Sequence, residues 1–137
     1  MSTLAIPTSR TKLSISRITV GRVISGFAVL FLVFDTVIKF THHPAVTESM
    51  TQLGYPVSRA LALGVIELLC LTVYLVPRTS VLGAVILTGY LGGAIASHVR
   101  VGNPLFSHVL FPIYMAAMLW GGLYLRDARV RSIISAR

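Results

Sequence analysis

Four long apolar runs with almost no charge constrain the fold of this chain more than any other feature. They are Val23–Phe40, Leu61–Val76, Val81–Val99 and Leu105–Leu125. A helix needs roughly 20 mostly apolar residues to cross a hydrocarbon layer about 30 Å thick. Because no water is available there for backbone polar groups, such runs must form helices or closed barrels. The period-two alternation of a barrel is absent, so the sequence predicts membrane-crossing helices.

The predicted fold is an all-α integral membrane protein, an antiparallel four-helix bundle. The helices are expected at residues 23–41, 57–76, 81–99 and 105–125, in a transmembrane domain at residues 23–125. The short connections between consecutive helices favour antiparallel neighbours. After the first helix, Val46, Met50 and Leu53 recur at amphipathic helical spacing, which predicts a short interfacial helix over Pro44–Leu53. Residues 1–22 and 126–137 are expected to be basic cytoplasmic tails.

The basic residues predict the orientation of the bundle. The net charge is +8, but the basic residues lie at the ends of the apolar runs rather than along one polar face. This pattern argues against nucleic acid as a partner and favours the lipid bilayer, anionic lipid included. With four crossings, nine Lys and Arg residues lie on the side of the termini, and Lys39, Arg59 and Arg100 lie on the other. Because positive charge stays in the cytoplasm, both termini are expected to be cytoplasmic.

This orientation converts sequence position into depth below the outer surface. At 1.5 Å per helical residue, Asp35 lies about 8 Å from the outer end of the first helix, and Glu67 lies roughly 9 Å below the start of the second. The third helix reaches His98 and Arg100 at its outer tip, and the fourth helix meets His108 in its first turn. The ionisable residues of four helices are therefore expected to share one layer, in the outer third of the membrane.

Glu67 is the residue in this layer that most needs a partner. Asp35 and Lys39 are spaced i, i+4 and can form a local salt bridge, for which a structural role is favoured. Glu67 has no basic neighbour on its own helix, and a charge at this depth costs several kcal/mol, so it must be neutral or paired across helices. Its candidate partners are Arg100, His98, His108 and Lys39. The candidate polar pocket consists of Asp35, Lys39, Glu67, His98, Arg100 and His108, with Tyr90 and Tyr114 as secondary candidates.

Cofactor and metal motifs are weak or absent. His98 and His108, on neighbouring helices at similar depth, could ligate a b-type haem, but two residues are a weak indication. The single cysteine, Cys70, excludes an intramolecular disulfide or a dithiol pair and is interpreted as a packing residue. Neither a phosphate-binding glycine loop nor the metal-ligand spacing of a zinc protease occurs, so no metal site is predicted. No catalytic residue is assigned.

The third predicted helix is rich in small residues. Gly89-x-x-x-Gly93-x-x-x-Ser97 and Gly92-x-x-x-Ala96 follow the spacing that lets membrane helices approach closely. Packing within the bundle is the default expectation for this face, and a homo-oligomer contact is the alternative.

The ordered segments DTVIKF, LGYP, PRTSVLGA, GYLGGA, HVRVG and PLFSHVLFP resemble the DoxX-like family of small bacterial membrane proteins. The similarity runs from about Gly21 to Asp127 and covers nearly all of the predicted membrane part. The resemblance implies a four-helix bundle in the bacterial inner membrane. Relatives in the wider DoxX/DoxD group are linked to thiosulfate:quinone oxidoreductase and to thiol-redox membrane complexes, and more distant relatives act as assembly factors.

Two functions follow as hypotheses. The leading one is a redox-associated membrane subunit that binds a quinone or a similar lipophile, whose head would meet Glu67, His98, Arg100 and His108. The alternative is a non-catalytic membrane partner or assembly factor with a purely structural polar layer. A transporter is a third option, disfavoured because one small bundle offers little for alternating access.

Overall fold

A computed structural model describes the backbone of residues 8–136 and the side chains from residue 16 onward. Of the tails predicted at residues 1–22 and 126–137, residues 1–7 and residue 137 lie outside this part. Within it the chain is all helical, as predicted, with no strand. The elements are α1 (Thr8–Phe40), α2 (Pro44–Gln52), α3 (Arg59–Leu75), α4 (Ser80–Arg100), a π-helical turn (Leu105–Val109), α5 (Phe111–Arg126) and α6 (Ala128–Ser135).

Three helical segments are long and apolar enough to cross a membrane. They are Ser16–Phe40, Ser80–Arg100 and Leu105–Arg126. The helix between the first two, α3, has 17 residues. At 1.5 Å per residue α3 is about 26 Å long, slightly less than the hydrocarbon thickness. The fold is therefore all-helical with three membrane-compatible helices. Helix α3 is shorter than these three and does not meet the same length criterion.

The first helix begins earlier than expected. It starts at Thr8 rather than near residue 23, so much of the predicted basic tail is helical. Once a helix is nucleated, each further residue adds a hydrogen bond at little cost. The segment from Thr8 to Arg22 contains no proline that would remove such a bond, and polarity alone does not end a helix.

The last predicted helix is divided into two parts. A π-helical turn at Leu105–Val109 precedes α5, which begins at Phe111. Pro112 has no N–H, and its ring collides with the carbonyl four residues back, so it cannot continue an α-helix from residue 105. Pro112 lies in the first turn of α5, where a missing N–H leaves no bond unmade. The single helix expected at residues 105–125 is therefore divided just before Pro112.

The four long helices α1, α3, α4 and α5 pack around a shared apolar core. Helix α1 contacts α3 and α5, and α4 contacts the same two helices. The core includes Ala28, Leu32, Leu71, Leu87 and Leu119. We refer to the end that carries Phe40, Arg59 and Arg100 as the α2 end, and to the opposite end, which carries Gly122 and Arg126, as the α6 end.

Close backbone contacts hold the α6 end together. A Cβ atom added to Gly21 would lie 2.7 Å from the Gly122 carbonyl oxygen, and one added to Gly83 would overlap the Tyr74 backbone. The Tyr74 hydroxyl is buried and lies 2.8 Å from the Leu119 carbonyl oxygen and 3.1 Å from Ser25 Oγ. Glycine at these positions therefore allows the helices to approach closely.

The small residues of α4 do not pack as expected. A Cβ atom added to Gly89, Gly92 or Gly93 would meet no atom within 4 Å among the described residues. The default expectation that this face packs inside the bundle is wrong for these three glycines. The tight helix contacts lie nearer the α6 end instead, at Gly83, where α4 meets α3, and at Gly21 and Gly122, where α1 meets α5.

The C-terminal tail also forms a helix. Asp127 precedes α6, and its Oδ1 accepts a hydrogen bond from the Arg129 backbone N–H at 2.9 Å. This is the usual way in which an aspartate satisfies a free donor at a helix start. Val130 is buried against the core, so α6 is attached to the helices rather than extending away from them.

Candidate functional site

A cavity of about 560 Å³ lies among the helices at the α2 end. Residues of α1, α2, α3, α4 and α5 line it, and most of its wall is apolar, including Phe31, Leu32, Met50, Phe111 and Met115. Its ionisable and hydroxyl-bearing lining includes Asp35, Lys39, Ser49, Tyr55, Glu67, Tyr90, Ser97 and His98. Small-molecule sites have this character, an apolar volume of about 300–1,000 Å³ with a few polar groups that orient the ligand.

The polar groups form a cluster centred on Lys39. Its Nζ donates to an Asp35 carboxylate oxygen, to Glu67 Oε2 at 2.7 Å and to the Tyr90 hydroxyl oxygen at 3.1 Å. The Tyr90 hydroxyl in turn donates to Glu67 Oε2 at 3.3 Å. A lysine ammonium has three N–H bonds, and here each of them has an acceptor. We call these four residues the Lys39 cluster.

Burial differs sharply across the Lys39 cluster. The side chain of Glu67 is 0% exposed, that of Lys39 is 13% exposed and that of Asp35 is 35% exposed. A fully buried carboxylate is tolerated only when it is paired and hydrogen-bonded, which Lys39 and Tyr90 provide. Glu67 Oε1, however, has no hydrogen-bond partner among the described side chains and backbone. The cluster thus keeps one buried acceptor without a donor.

Helix α2 covers the cavity. Val46 and Met50 are buried on its inner face, and they repeat at the spacing that the sequence pattern predicted. The chain leaves α2 through Gly54, whose φ of 71° is a backbone conformation that glycine adopts freely. A short helix forms here, as the sequence pattern predicts.

Two contacts attach the end of α2 to α4. The Arg100 guanidinium donates to the Leu53 carbonyl oxygen and lies over the Tyr55 ring, 5.6 Å from its centroid. The Tyr55 hydroxyl lies 2.9 Å from Ser97 Oγ, and Ser97 in turn donates to the Gly93 carbonyl oxygen at 2.9 Å. Arg100 therefore acts on the cover of the cavity and does not line the cavity.

The two histidines contact each other. The ring centroids of His98 and His108 lie 5.5 Å apart in an edge-to-face arrangement. His98 Nδ1 lies 2.8 Å from Asn103 Nδ2, and His108 Nδ1 lies 2.8 Å from Ser107 Oγ. His98 lines the cavity, whereas His108 is exposed in the π-helical turn. Within residues 8–136 no group of three or more His, Cys, Asp or Glu side chains could hold a metal ion.

The structure brings together five of the eight residues singled out from the sequence. Asp35, Lys39, Glu67, Tyr90 and His98 line the cavity. The other three do not, because Arg100 contacts the cover, His108 is exposed and Tyr114 is 44% exposed on the outside of α5. Of the cationic partners considered for Glu67, Lys39 is the one that binds it.

Sequence reasoning missed the roles of Tyr55 and Ser97. Ser97 lies one turn after Gly93, and both residues line the cavity, so α4 spacing carried a signal for Ser97. Tyr55 follows the α2 stop at Gly54, and nothing in its local sequence indicates which helix it contacts.

Comparison with known protein families assigns the chain to one of them. The model of the DoxX-like family matches residues 23–122, which include all of α3 and α4 and most of α1 and α5. The protein belongs to the DoxX-like family. Searches of curated proteins and of solved structures give no match. Family membership and the three apolar helices together indicate a membrane protein, and the resemblance seen in the sequence is confirmed.

Proposed function

We propose that this DoxX-like protein is a four-helix transmembrane bundle of the bacterial inner membrane with both termini in the cytoplasm. Helices α1, α3, α4 and α5 surround one core, which supports four crossings, and the shorter α3 can be accommodated by slight local thinning of the bilayer. The excess of arginine at the α6 end supports the orientation. Helix α2 would then lie at the outer interface.

We propose further that the cavity binds a quinone or a similar lipophile in a redox-associated subunit. The observation that carries this proposal is an apolar cavity with the Lys39 cluster in its wall. An apolar wall suits a hydrocarbon-rich molecule. Charged groups inside a membrane protein cost free energy to bury, so a buried charged cluster is an indication of a functional site. The head of the ligand would meet the Lys39 cluster and His98, while its tail would leave the bundle between helices.

Binding of a lipophile does not require catalysis by the chain itself. Asp35 and Glu67 can accept a proton or a hydrogen bond at the ligand head, and the His98 imidazole adds a further polar group to the cavity wall. Electron transfer would require a redox partner in the membrane.

One observation favours the alternative, a non-catalytic partner or assembly protein. All three donors of Lys39 bond inside the cluster, as they would in a purely structural network that holds α1, α3 and α4 together. In that case the open small-residue face of α4, with Gly92 and Ala96, would receive a second copy or another membrane protein.

Bound-lipid analysis tests the proposal. The protein is purified in a mild detergent, and its extracted small molecules are measured by mass spectrometry for the wild type, Glu67→Gln and Glu48→Gln. Glu48 is an exposed residue of α2, so its substitution is the matched control. In the wild type and in Glu48→Gln we expect to find an apolar molecule with a polar head, at a ratio of about one molecule per protein chain. In Glu67→Gln we expect this molecule to be lost. Absence of any bound molecule together with a stable co-purifying protein would instead favour the alternative.

A further inference from the structure

We infer that the Lys39 cluster, in the wall of the cavity, selects a lipophile whose head donates a hydrogen bond, such as the hydroxyl of a hydroquinone, over one whose head can only accept. The other lining side chains that can donate, Ser49 and His98, lie outside this cluster. The inference rests on the proposed function, because it names the chemical form of the ligand that the same cavity would bind. Two observations carry it. The hydrogen-bond donors of the Lys39 cluster already have acceptors within the protein, and some of its carboxylate oxygens have no donor.

The donors of the Lys39 cluster are committed. The three N–H bonds of Lys39 have acceptors in Asp35, Glu67 and Tyr90, and the Tyr90 hydroxyl donates to Glu67 Oε2. At the cover of the cavity, Ser97 donates to the Gly93 carbonyl oxygen, which leaves the Tyr55 hydroxyl as the donor to Ser97 Oγ. A ligand carbonyl that approached these groups would have to displace an existing hydrogen bond.

Acceptors, in contrast, remain. Lys39 binds one oxygen of Asp35, Oδ2, and the Asp35 side chain is 35% exposed at the cavity. Glu67 Oε1 has no partner in the described part of the chain, but the Glu67 side chain is fully buried. Asp35 is therefore the accessible acceptor.

Charge points the same way as hydrogen bonding. Two carboxyl groups face one ammonium group in the Lys39 cluster, so the lone pairs of a ligand carbonyl would meet acceptor oxygens. A ligand hydroxyl would direct its proton at them. Hydrogen bonds to charged groups are stronger than those between neutral groups. In a site with little water, a polar group that is left without a hydrogen-bond partner costs free energy.

A matched set of ligands tests the inference on the full-length protein in nanodiscs. The ligands are a decyl-substituted hydroquinone kept reduced, its dimethyl ether and the corresponding decyl benzoquinone, and the affinity of each is measured by calorimetry. We expect the hydroquinone to bind about tenfold or more tightly than the other two, the ratio that one charge-assisted hydrogen bond supplies. Quinone binding as tight as hydroquinone binding overturns the inference alone.

Two variants locate the acceptor. Asp35→Asn replaces an acceptor oxygen with an amide N–H₂, while Lys39 keeps Glu67 as its partner, so the fold is expected to persist. We expect the hydroquinone preference to fall to about threefold or less, whereas the same substitution at the α6 end, Asp127→Asn, leaves the preference unchanged. An unchanged preference in Asp35→Asn overturns the assignment to Asp35. If none of the three ligands binds the wild type, the proposed function fails, and this inference fails with it.

Discussion

The two ends of the bundle are stabilised by different means. At the α6 end, Gly21, Gly83 and Gly122 allow backbones to touch, and the buried Tyr74 hydroxyl has neighbouring acceptors. At the α2 end the helices surround a cavity of about 560 Å³, and a cluster of charged side chains joins α1, α3 and α4. Close contact between backbones thus distinguishes one end, and a cluster of charged side chains distinguishes the other.

The difference shows where a small membrane bundle can accommodate a site. At the α6 end the close approach at Gly21, Gly83 and Gly122 gives dispersion contacts between backbones, which need no polar side chains. The α2 end gives up some of these contacts and depends on a few strong polar bonds. The proposed ligand would meet these same polar groups, so a substitution in the Lys39 cluster is expected to change both stability and ligand binding.

The largest effect is expected for Lys39→Met. It leaves the fully buried Glu67 without its cationic partner, and removal of one member of a buried ion pair costs about 3–5 kcal/mol. The free energy of unfolding in detergent micelles measures this loss. The double variant Lys39→Met/Glu67→Leu removes both charges and should recover most of the stability, since apolar replacement of a buried pair is often neutral. If the double variant is as unstable as the single one, electrostatics does not hold the α2 end.

A smaller effect is expected for Gly83→Ala at the α6 end. The new methyl group would overlap the Tyr74 backbone, and overpacking of this kind costs about 1–3 kcal/mol. The matched control is Gly92→Ala on the same helix, where a Cβ meets nothing within 4 Å of the described residues. That change should be neutral or stabilising by up to about 1 kcal/mol, because alanine favours a helix over glycine. Equal destabilisation of both variants would contradict the difference in packing, and destabilisation of Gly92→Ala alone would indicate that a second chain covers this face.

The smallest effect is a pH dependence confined to α6. The hydrogen bond from the Arg129 side chain holds the pKa of the Asp127 carboxyl below its ordinary value. A carboxyl whose pKa is lowered by folding contributes stability above its ordinary pKa, and that contribution is lost as the pH falls through the folded value, here below about 4. The protection factors of the α6 amides against hydrogen exchange, which are corrected for the intrinsic pH dependence of exchange, should therefore fall as the pH is lowered from 6 to 3. Asp127→Asn should fray to the same degree throughout that range, and a wild type without pH dependence would show that the Asp127 contact does not stabilise α6.

Several features of the α2 end could be predicted from local sequence. The i, i+4 spacing of Asp35 and Lys39 predicted their contact, and the spacing of Val46 and Met50 predicted the short helix α2. These predictions succeeded because they depend on helix geometry along one segment at a time.

Contacts between segments could not be predicted in this way. Glu67 had four candidate cations, and the choice of Lys39 depends on how α1 and α3 are rotated about their own axes. Arg100 turns toward the Leu53 carbonyl because α2 folds back over the cavity, which places an acceptor beside it. Gly83 and Gly92 are both glycines of α4 with equal helix propensity, but only Gly83 lies against a neighbouring helix.

By itself, then, the amino-acid sequence determined the helical class of this protein, its membrane-compatible segments and its family. These properties depend on the cost of exposing backbone polar groups and charges to hydrocarbon, a cost that each segment carries independently of the others. Only the tertiary structure decided that a cavity opens at the α2 end, that Lys39 joins Asp35, Glu67 and Tyr90, and that α2 covers them. Those outcomes depend on the rotation and approach of whole helices, which are determined by the sum of many contacts between distant parts of the chain.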